Sequence, residues 1–312
     1  MEAHSTSGNN WALRVAGYWK RVSSIIDSAI EEALETRFDE EYRDLVRYVV
    51  AGGKRFRGFL TILTAEALGG AMDEALDAAV AIELVHAASL ALDDIVDMDK
   101  VRRGKPSSWV MHGISRTALI SLLIIPVAQR IVERYGFKAI YHVIRAWEST
   151  VRGEIMDAFL ADKLPESKLM DLIDLKTGSL FKLSTILGAI AARREEYVDK
   201  ASNYGLWLGR TYQIADYMAD YYMYITKRKD RLDPSERLFI KWIHAISGSN
   251  ANDDASMLRY SYLILSKMLE EAKKASTEFP KNQQRTILEQ LPAIMVHKLF
   301  EEVGLDSIYP QL

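Results

Sequence analysis

The chain contains no cysteine among its 312 residues. Disulfide bonds, thiolate metal sites and a cysteine nucleophile are therefore excluded, and the protein requires no oxidising compartment. The first ten residues are polar and lack the apolar core of a secretory signal. These features predict a cytoplasmic protein whose residues 1–10 are flexible.

Proline and glycine are scarce, with 7 and 17 residues, and no stretch alternates apolar and polar residues as a half-buried strand does. Apolar residues instead recur about every 3.6 positions along nearly the whole chain. The sequence therefore predicts an all-α fold without strands. Because no repeat, low-complexity tract or linker interrupts the pattern, we expect residues 1–312 to form a single domain.

The apolar period also predicts where the main helices lie. A core helix covers residues 78–92, where only Glu83, His86 and Ser89 are polar. Pro126 is expected to kink or break the strongly apolar helix over residues 114–135. The other predicted helices cover residues 11–36, 40–51, 141–162, 204–226, 234–247, 254–276 and 284–302.

A long apolar run and a large net charge are also missing. The longest apolar passage, residues 118–127, is shorter than the ~20 residues that a membrane-spanning helix needs. The net charge is −3, with acids and bases interspersed, which gives no long-range attraction for nucleic acid. The histidines form no HExxH pair, and no GxxxxGK[ST] or GxSxG motif occurs. We expect no transmembrane segment and no nucleic-acid partner.

The core helix carries one polar stripe that ends in aspartates. Successive residues of a helix are about 100° apart, so the polar side chains fall within roughly a third of its circumference, with Asp94 at the border. They are Glu83, His86, Ser89, Asp93 and Asp97. Asp93 and Asp97 lie one turn apart, so their charges repel each other unless a cation lies between them. Carboxylate oxygens without cysteine or paired histidine suit Mg²⁺, which shares its coordination with substrate phosphates. The alternative is a helix end whose acids face solvent, and the apolar run before it argues against that interpretation.

A second mainly apolar helix repeats the pattern. Gln213, Asp216 and Asp220 lie on one face, and Lys227 is predicted to continue that face seven residues later. Between the two acidic helices, Glu154 and Asp157 lie one turn apart on a third helix.

Basic residues accompany each acidic segment. Gly52 and Gly53 precede Lys54 and Arg57, a combination that offers backbone amides and two cations to an anion, although it could equally be a solvated helix face. The basic loop over residues 99–106 can form plain ion pairs or hold phosphate oxygens. Lys176, in the apolar run over residues 172–190, either extends to solvent or contacts an anion.

At these segments the chain resembles the trans-isoprenyl diphosphate synthase (polyprenyl synthetase) family, from about Glu40 onward. Six stretches are similar to the family's motifs, in the same order and at similar spacing. They are GGKRFR at residues 52–57, His86 followed by DDIVD at 93–97, RRG at 102–104, GEIMD at 153–157 (Glu154 in place of Gln), KTGSLF at 176–181 and YQIAD at 212–216.

The resemblance implies a bundle of long helices around a deep cavity, usually a homodimer, and a role for each matching residue. Asp93, Asp97 and Asp216 would bind Mg²⁺ ions on the diphosphate of an allylic substrate, and Asp94, Asp157 and Asp220 would order the surrounding waters. Arg102, Lys176, Lys227 and Lys229 would neutralise that diphosphate. Lys54, Arg57, His86 and Arg103 would hold isopentenyl diphosphate, and Thr177 and Gln213 would stabilise the allylic cation.

The resemblance also concerns product length, because residues one or more turns before Asp93 lie deeper in the cavity. Ser89 and Ala88 are small, and Val85 and Ile82 are of middling size. In the family, bulky aromatic residues at the first of these levels stop growth at fifteen carbons or fewer. We therefore expect a product of twenty carbons or more.

The chain departs from the family pattern mainly in the second acidic motif. It reads DYMAD at residues 216–220, with Tyr217 where the family has a second aspartate. Two alternatives to a synthase follow: a class I terpene cyclase-like enzyme, or a non-catalytic partner subunit of a related active synthase. A cyclase has no second diphosphate to hold, so the intact set of Lys54, Arg57, His86 and Arg103 argues against it. The intact first motif argues against a partner without activity.

Overall fold

The computed structural model describes the backbone of residues 5–308 and the side chains of residues 14–308 except Ser249. This part of the chain is almost entirely helical, as predicted. Its α-helices are α1 (Ser5–Arg37), α2 (Glu40–Val50), α3 (Phe56–Ala67), α4 (Met72–Val96), α5 (Ser108–His112), α6 (Ile114–Val132), α7 (Phe137–Ile155), α8 (Leu169–Ile173), α9 (Ser179–Ala191), α10 (Val198–Ile225), α11 (Pro234–Ser247), α12 (Asp254–Ser276) and α13 (Gln283–Val303).

Four short elements depart from the predicted pattern. Two strands, β1 (Val101–Arg102) and β2 (Lys105–Pro106), pair antiparallel, so the expectation of no strands was wrong for this stretch. Arg103 and Gly104 both have positive φ and form the tight turn that closes this hairpin. The helix predicted for residues 141–162 gives way to a π-helical turn at Met156–Leu160, and a second π-helical turn covers Asp174–Gly178.

The chain forms two compact units, each built from two segments. Unit 1 comprises Met1–Arg145 and Leu183–Val198, and unit 2 comprises Ala146–Lys182 and Asp199–Leu312. The boundaries at residues 145/146 and 182/183 fall inside α7 and α9 rather than in a linker. A single domain over residues 1–312 stays a prediction. α1 begins at Ser5, within the stretch expected to be flexible, and residues 1–4 lie outside the described residues.

Unit 1 is organised around α4, which packs mainly against α3 and α6. A glycine also lets α9 approach α3 closely, because a Cβ on Gly188 of α9 would lie 2.5 Å from the Thr61 carbonyl oxygen of α3. Pro126 lies inside α6, which continues through it, so the expected break does not occur. A proline removes one hydrogen bond, and the apolar packing of buried neighbours such as Ile124 and Ala128 maintains the helix.

Unit 2 has its own apolar core, to which α8 and α10–α13 contribute. Tyr204, fully buried on α10, donates its hydroxyl hydrogen bond to the Leu288 carbonyl of α13 over 2.7 Å. This contact satisfies the polar end of a ring that is otherwise surrounded by apolar side chains.

Two helical stretches are long and apolar enough to cross a membrane by length and composition alone, Met72–Val96 and Ile114–Tyr135. Each contains an 18-residue segment with at most two charged residues, which is longer than the apolar passage over residues 118–127 considered above. In α4, 72% of this 18-residue segment is buried inside the protein, as is usual for a helix in a protein core. For Ile114–Tyr135 the buried share is 44%, and the absence of a transmembrane segment stays a prediction.

Candidate active site

The first acidic motif lies at the end of α4, where the three aspartates differ in exposure. Asp93 is half-buried, Asp97 is exposed at the helix end, and Asp94 is only 3% exposed. Arg102 of the hairpin donates hydrogen bonds from Nε (2.7 Å) and Nη2 to Asp94 Oδ1. Burial raises the pKa of Asp94, and the Arg102 guanidinium opposes that shift. Arg102 thus attaches the hairpin to the acidic motif and keeps a cation beside it.

The glycine pair and the RRG stretch are in contact although about fifty residues separate them in the chain. Gly53 has φ +94°, and a Cβ there would lie 2.7 Å from the Arg103 guanidinium atoms. Arg103 donates a hydrogen bond from Nη1 to the Ala51 carbonyl over 3.1 Å. Glycine is favoured here because a side chain would be strained at this φ and would also have to displace the Arg103 guanidinium.

Hydrogen bonds to neighbouring segments hold the basic turn before α3, at Lys54 and Arg55, in place. Arg55 is 6% exposed, with positive φ, and donates to Asp27 Oδ1 (2.6 Å) and the Val50 carbonyl (3.0 Å). The Lys54 carbonyl accepts a hydrogen bond from the Trp19 indole over 2.7 Å. Arg55 therefore has a structural role, and it orients Lys54, which is exposed, and Arg57 on the next helical turn.

Arg57 and His86 form the best-defined pair in unit 1. Arg57 Nη1 lies 2.8 Å from His86 Nε2. Burial first, and then Arg57 and three further arginines, lower the pKa of His86 well below its usual value, so the ring is neutral. Because a guanidinium only donates, Nε2 must accept and Nδ1 carries the proton. Nδ1 is buried without a hydrogen-bond partner among the described residues, so its N–H group can donate to a ligand.

This neutral ring gives a pH prediction. Below pH 6.5 the unfolded chain protonates His86 and the folded protein does not, so the stability of the wild type should fall as the pH drops through that range. His86→Asn has no imidazole to protonate at this position, so its free energy of unfolding should change less steeply with pH, by up to about 1.4 kcal/mol per pH unit. Urea unfolding at pH 7.5, 6.5 and 5.5 measures it. His297→Asn, at an exposed position of α13, is the control, and equal slopes in all three proteins would contradict the prediction.

The predicted product-length residues line the same helix as His86. Ile82, Val85 and Ala88 are fully buried, and Ser89 is 8% exposed. The Ser89 hydroxyl donates to the His86 carbonyl over 2.8 Å. None of the four is aromatic, and their role stays a prediction.

In unit 2, Lys176 lies in the π-helical turn at Asp174–Gly178. Its ammonium contacts Glu154 Oε2 at 2.9 Å and Asp157 Oδ2 at 2.7 Å. Gly153 makes this arrangement possible, because a Cβ there would lie 2.6 Å from Lys176 Cα. The GEIMD and KTG stretches therefore meet, and each includes a π-helical turn of the kind often found at functional sites.

A hydrogen-bonded chain leads from this turn to the second acidic motif. The Thr177 hydroxyl donates to Gln213 Oε1, and Gln213 Nε2 donates to Asp216 Oδ2 over 3.1 Å. The second contact fixes the orientation of the Gln213 amide, because a carboxylate only accepts and therefore requires the NH₂ group to face it, whereas the Thr177 hydroxyl can donate or accept. Burial raises the pKa of Asp216 to about 6 despite this hydrogen bond. Such a carboxylate is poorly solvated and benefits from a cation.

Tyr217, which replaces an aspartate of the family pattern, belongs to the core of unit 2. It is 4% exposed, and its ring lies 5.3 Å from that of Phe239 between centroids. A charged side chain would be costly here. The substitution therefore removes one acid from the motif but adds apolar packing beneath it.

The lysines after α10 are placed differently from each other. The helix ends at Ile225, so Lys227, with φ +59°, cannot continue the Asp216–Asp220 face, and that expectation was wrong. Lys229 instead folds back, and its ammonium contacts Asp220 (3.2 Å), Asp233 (3.4 Å) and Glu236.

Glu236 was missed by the sequence analysis, which found no chemistry in α11. Its side chain is 7% exposed, accepts a hydrogen bond from the Asp233 amide (2.9 Å) and pairs with Lys229. Burial and the neighbouring Asp220 raise the pKa of Glu236 to about 7. The only signal in the sequence was the D-P-x-E capping pattern at residues 233–236, which predicts a helix start rather than a member of an acidic cluster.

Among the side chains that the structure describes, those of residues 14–308 except Ser249, no three acidic or histidine groups are close enough to hold a metal ion by themselves. Asp93 and Asp97 belong to unit 1 and Asp216 to unit 2. Mg²⁺ commonly takes only one or two carboxylates and completes its coordination with water and substrate phosphates. Within each unit, the carboxylate oxygens fit a metal that takes the rest of its coordination from water and a diphosphate.

The chain is similar to known proteins in sequence and in structure. Residues 39–279 match the family model described as polyprenyl synthetase. Hexaprenyl pyrophosphate synthase of Saccharolobus solfataricus is 31% identical over 95% of this chain and 100% of its own length. Geranylfarnesyl diphosphate synthase of Methanosarcina mazei is 32% identical over 68% of this chain and 73% of its own. The solved structure of geranylgeranyl pyrophosphate synthetase from Pyrococcus horikoshii superimposes with a TM-score of 0.78 at 26% identity, over 91% of this chain and 98% of that one.

Proposed function

The chain belongs to the polyprenyl synthetase family, the trans-isoprenyl diphosphate synthases, and from this we propose its substrates, metal and product. Members of the family use a divalent metal and isoprenyl diphosphate substrates. We propose that this enzyme joins isopentenyl diphosphate to an allylic diphosphate with Mg²⁺ and releases a trans-prenyl diphosphate of twenty carbons or more.

The observation that carries the proposal is the presence of two separate sets of anion-binding groups. Arg57, His86 and Arg103 form one set in unit 1, in which a neutral imidazole offers an N–H beside two guanidiniums. Lys176 and Lys229 stand beside acids in unit 2. A reaction between two diphosphates needs both sets, whereas a cyclase has a single diphosphate to hold.

The reaction begins with cleavage of the allylic carbon–oxygen bond. Asp93, Asp97 and Asp216 would hold Mg²⁺, which would supply positive charge to the leaving diphosphate. Lys176 and Lys229 add positive charge around the same group, and their ion pairs within the protein keep them in place before substrate arrives. The charge that develops on the leaving oxygen is thereby stabilised.

The carbon skeleton then gains five carbons. The double bond of isopentenyl diphosphate attacks the allylic cation, a carbon–carbon bond forms, and a proton passes to the released diphosphate. The π-helical turn at Asp174–Gly178 interrupts the regular helical hydrogen bonding, so that a backbone carbonyl near Thr177 can face the cation. Gln213, held by Thr177, presents its amide dipole beside it.

Incubation of the purified protein with Mg²⁺, an allylic diphosphate and labelled isopentenyl diphosphate tests this function. Label in a longer prenyl diphosphate supports the synthase. Hydrocarbon formed without consumption of isopentenyl diphosphate would support a cyclase. No turnover unless a related synthase is added would support a partner subunit. Chromatography of the dephosphorylated products gives the chain length.

We further propose that the enzyme is a cytoplasmic homodimer that uses the exposed apolar face of α6. Leu119 and Leu122 are 67% and 58% exposed on this helix, one turn apart. The first half of α7 likewise exposes Phe137 and Tyr141. A second copy that covers these side chains would remove an apolar surface from water.

The dimer proposal predicts the effect of charge on α6. Leu119→Glu combined with Leu122→Glu should lower the mass measured by light scattering from about twice 35.4 kDa to about 35.4 kDa, because two carboxylates would be buried unpaired. Leu263→Glu, at a 50% exposed position on α12, should leave the mass unchanged. A wild type that is monomeric, or a double variant that remains dimeric, would contradict this interface.

A further inference from the structure

Lys176 contacts two carboxylates, and one of them departs from the family pattern. Asp157 occupies a position where the family pattern also has aspartate, but Glu154 stands where that pattern has glutamine. The Lys176 ammonium lies 2.9 Å from Glu154 Oε2 and 2.7 Å from Asp157 Oδ2. The three groups therefore carry a net charge of −1, whereas a glutamine at 154 would make them neutral.

The backbone holds these groups together. Gly153 packs against the Lys176 backbone so closely that a Cβ would lie 2.6 Å from its Cα. The Lys176 and Glu154 side chains are 25% and 26% exposed, so both are accessible to an incoming anion, and Asp157 is 14% exposed. Partial burial weakens solvent screening, and the extra negative charge is felt by any phosphate that approaches the lysine.

We propose that Glu154 competes with the allylic diphosphate for the Lys176 ammonium and so weakens the binding of allylic substrate and product at this site. The inference rests on the proposed function, because it assigns a specificity-determining role at the same lysine. An anionic ligand must displace or share the glutamate contact before it gains the charge-assisted hydrogen bonds of the ammonium. A glutamine would keep a hydrogen-bond acceptor near Lys176 without that competing charge.

The test is Glu154→Gln, measured with geranyl diphosphate as the allylic substrate. Its KM should fall about five- to tenfold, the size expected for one charge-assisted contact at a partly exposed site. The KM for isopentenyl diphosphate should change by less than about twofold, because its predicted ligands, among them Arg57 and His86, belong to the other unit. The kcat should stay equal or fall, since a more tightly held product leaves more slowly.

A matched control removes an acid from an ion pair away from Lys176. Asp171 lies 2.7 Å from Lys168, and both side chains are more than half exposed. Asp171→Asn should leave both KM values unchanged. Thermal unfolding of each variant shows whether the fold is retained.

Calorimetric titration of the protein with inorganic pyrophosphate and Mg²⁺ gives a readout independent of turnover. Glu154→Gln should bind the probe about five- to tenfold more tightly than the wild type. Unchanged affinity would overturn the inference, and so would weaker affinity, which would show that Glu154 positions Lys176 rather than competing for it. If the wild type fails to elongate any allylic diphosphate, the proposed function fails, whereas this titration still decides on Glu154.

Discussion

Replacement of Asp93 by asparagine should lower kcat about 10²- to 10³-fold without unfolding the protein. Asp93 is half-buried at the end of α4 and lies next in sequence to Asp94, which Arg102 holds in place. An amide preserves the shape of the side chain but removes one of the charges proposed to hold Mg²⁺ against the diphosphate. Loss of one preorganised group that stabilises developing charge typically costs this much in rate.

Asp99 supplies a matched control for that experiment. Its carboxylate and that of Asp93 each lie 3.7 Å from Arg102 Nη2, so both substitutions remove one acid near the same guanidinium. Asp99 is exposed and lies beyond the helix. Asp99→Asn should retain kcat within about twofold. Equal losses in the two variants would indicate that the charge around Arg102, and not a metal site on Asp93, is what matters.

The helix ends that the sequence predicted best carry local capping signals. α11 and α12 begin and end as predicted, at Pro234–Ser247 and Asp254–Ser276. Asp233 precedes a proline at the first helical position, and Asp253 accepts a hydrogen bond from the Ser256 amide. These preferences act over three or four residues and are therefore visible without a tertiary structure.

The π-helical turns could not be predicted from periodicity. A single widened turn shifts the apolar residues by one position, and a shift of this size cannot be distinguished from the ordinary irregularity of a 3.6-residue pattern. Gly153 and Lys176 were both noticed as motif residues, but their contact depends on how α7 packs against the turn at Asp174–Gly178. Local sequence carries no signal for that contact.

The second acidic motif shows the same limit. The loss of an aspartate at Tyr217 was visible in the sequence, but its burial against Phe239 was not. Glu236 reaches the cluster from another helix, and Lys229 does so by folding back after α10 ends. Lys227 was misplaced because the helical face was extrapolated beyond Ile225. Charge partners that come from different elements are a property of tertiary packing.

Substitution of Ser89 by phenylalanine should shorten the main product to fifteen carbons or fewer. α4 is continuous from Met72 to Val96, so Ser89 lies about 6 Å from Asp93 along the helix axis, and Ile82 lies about 16 Å away. An aromatic ring one turn below the aspartates would block a growing chain early. The same ring at Ile82 would block it later and leave a longer product. Chromatography of the dephosphorylated products measures both.

The control places the same ring on the opposite side of the helix. Ala87 is two residues, or about 200°, from Ser89. It lines a cavity of about 290 Å³ between α4, α2 and the hairpin, which has room for an aromatic side chain. Arg102 and Arg103 line the same cavity, so the rate of this variant should fall. Ala87→Phe should leave product length unchanged even if its rate falls, and Ser89→Ala should do the same because it stays small. If Ser89→Phe and Ala87→Phe give the same products as the wild type, the growing chain does not descend along the Asp93 face of α4. If both shorten the product equally, the effect comes from disturbed helix packing rather than from a blocked path.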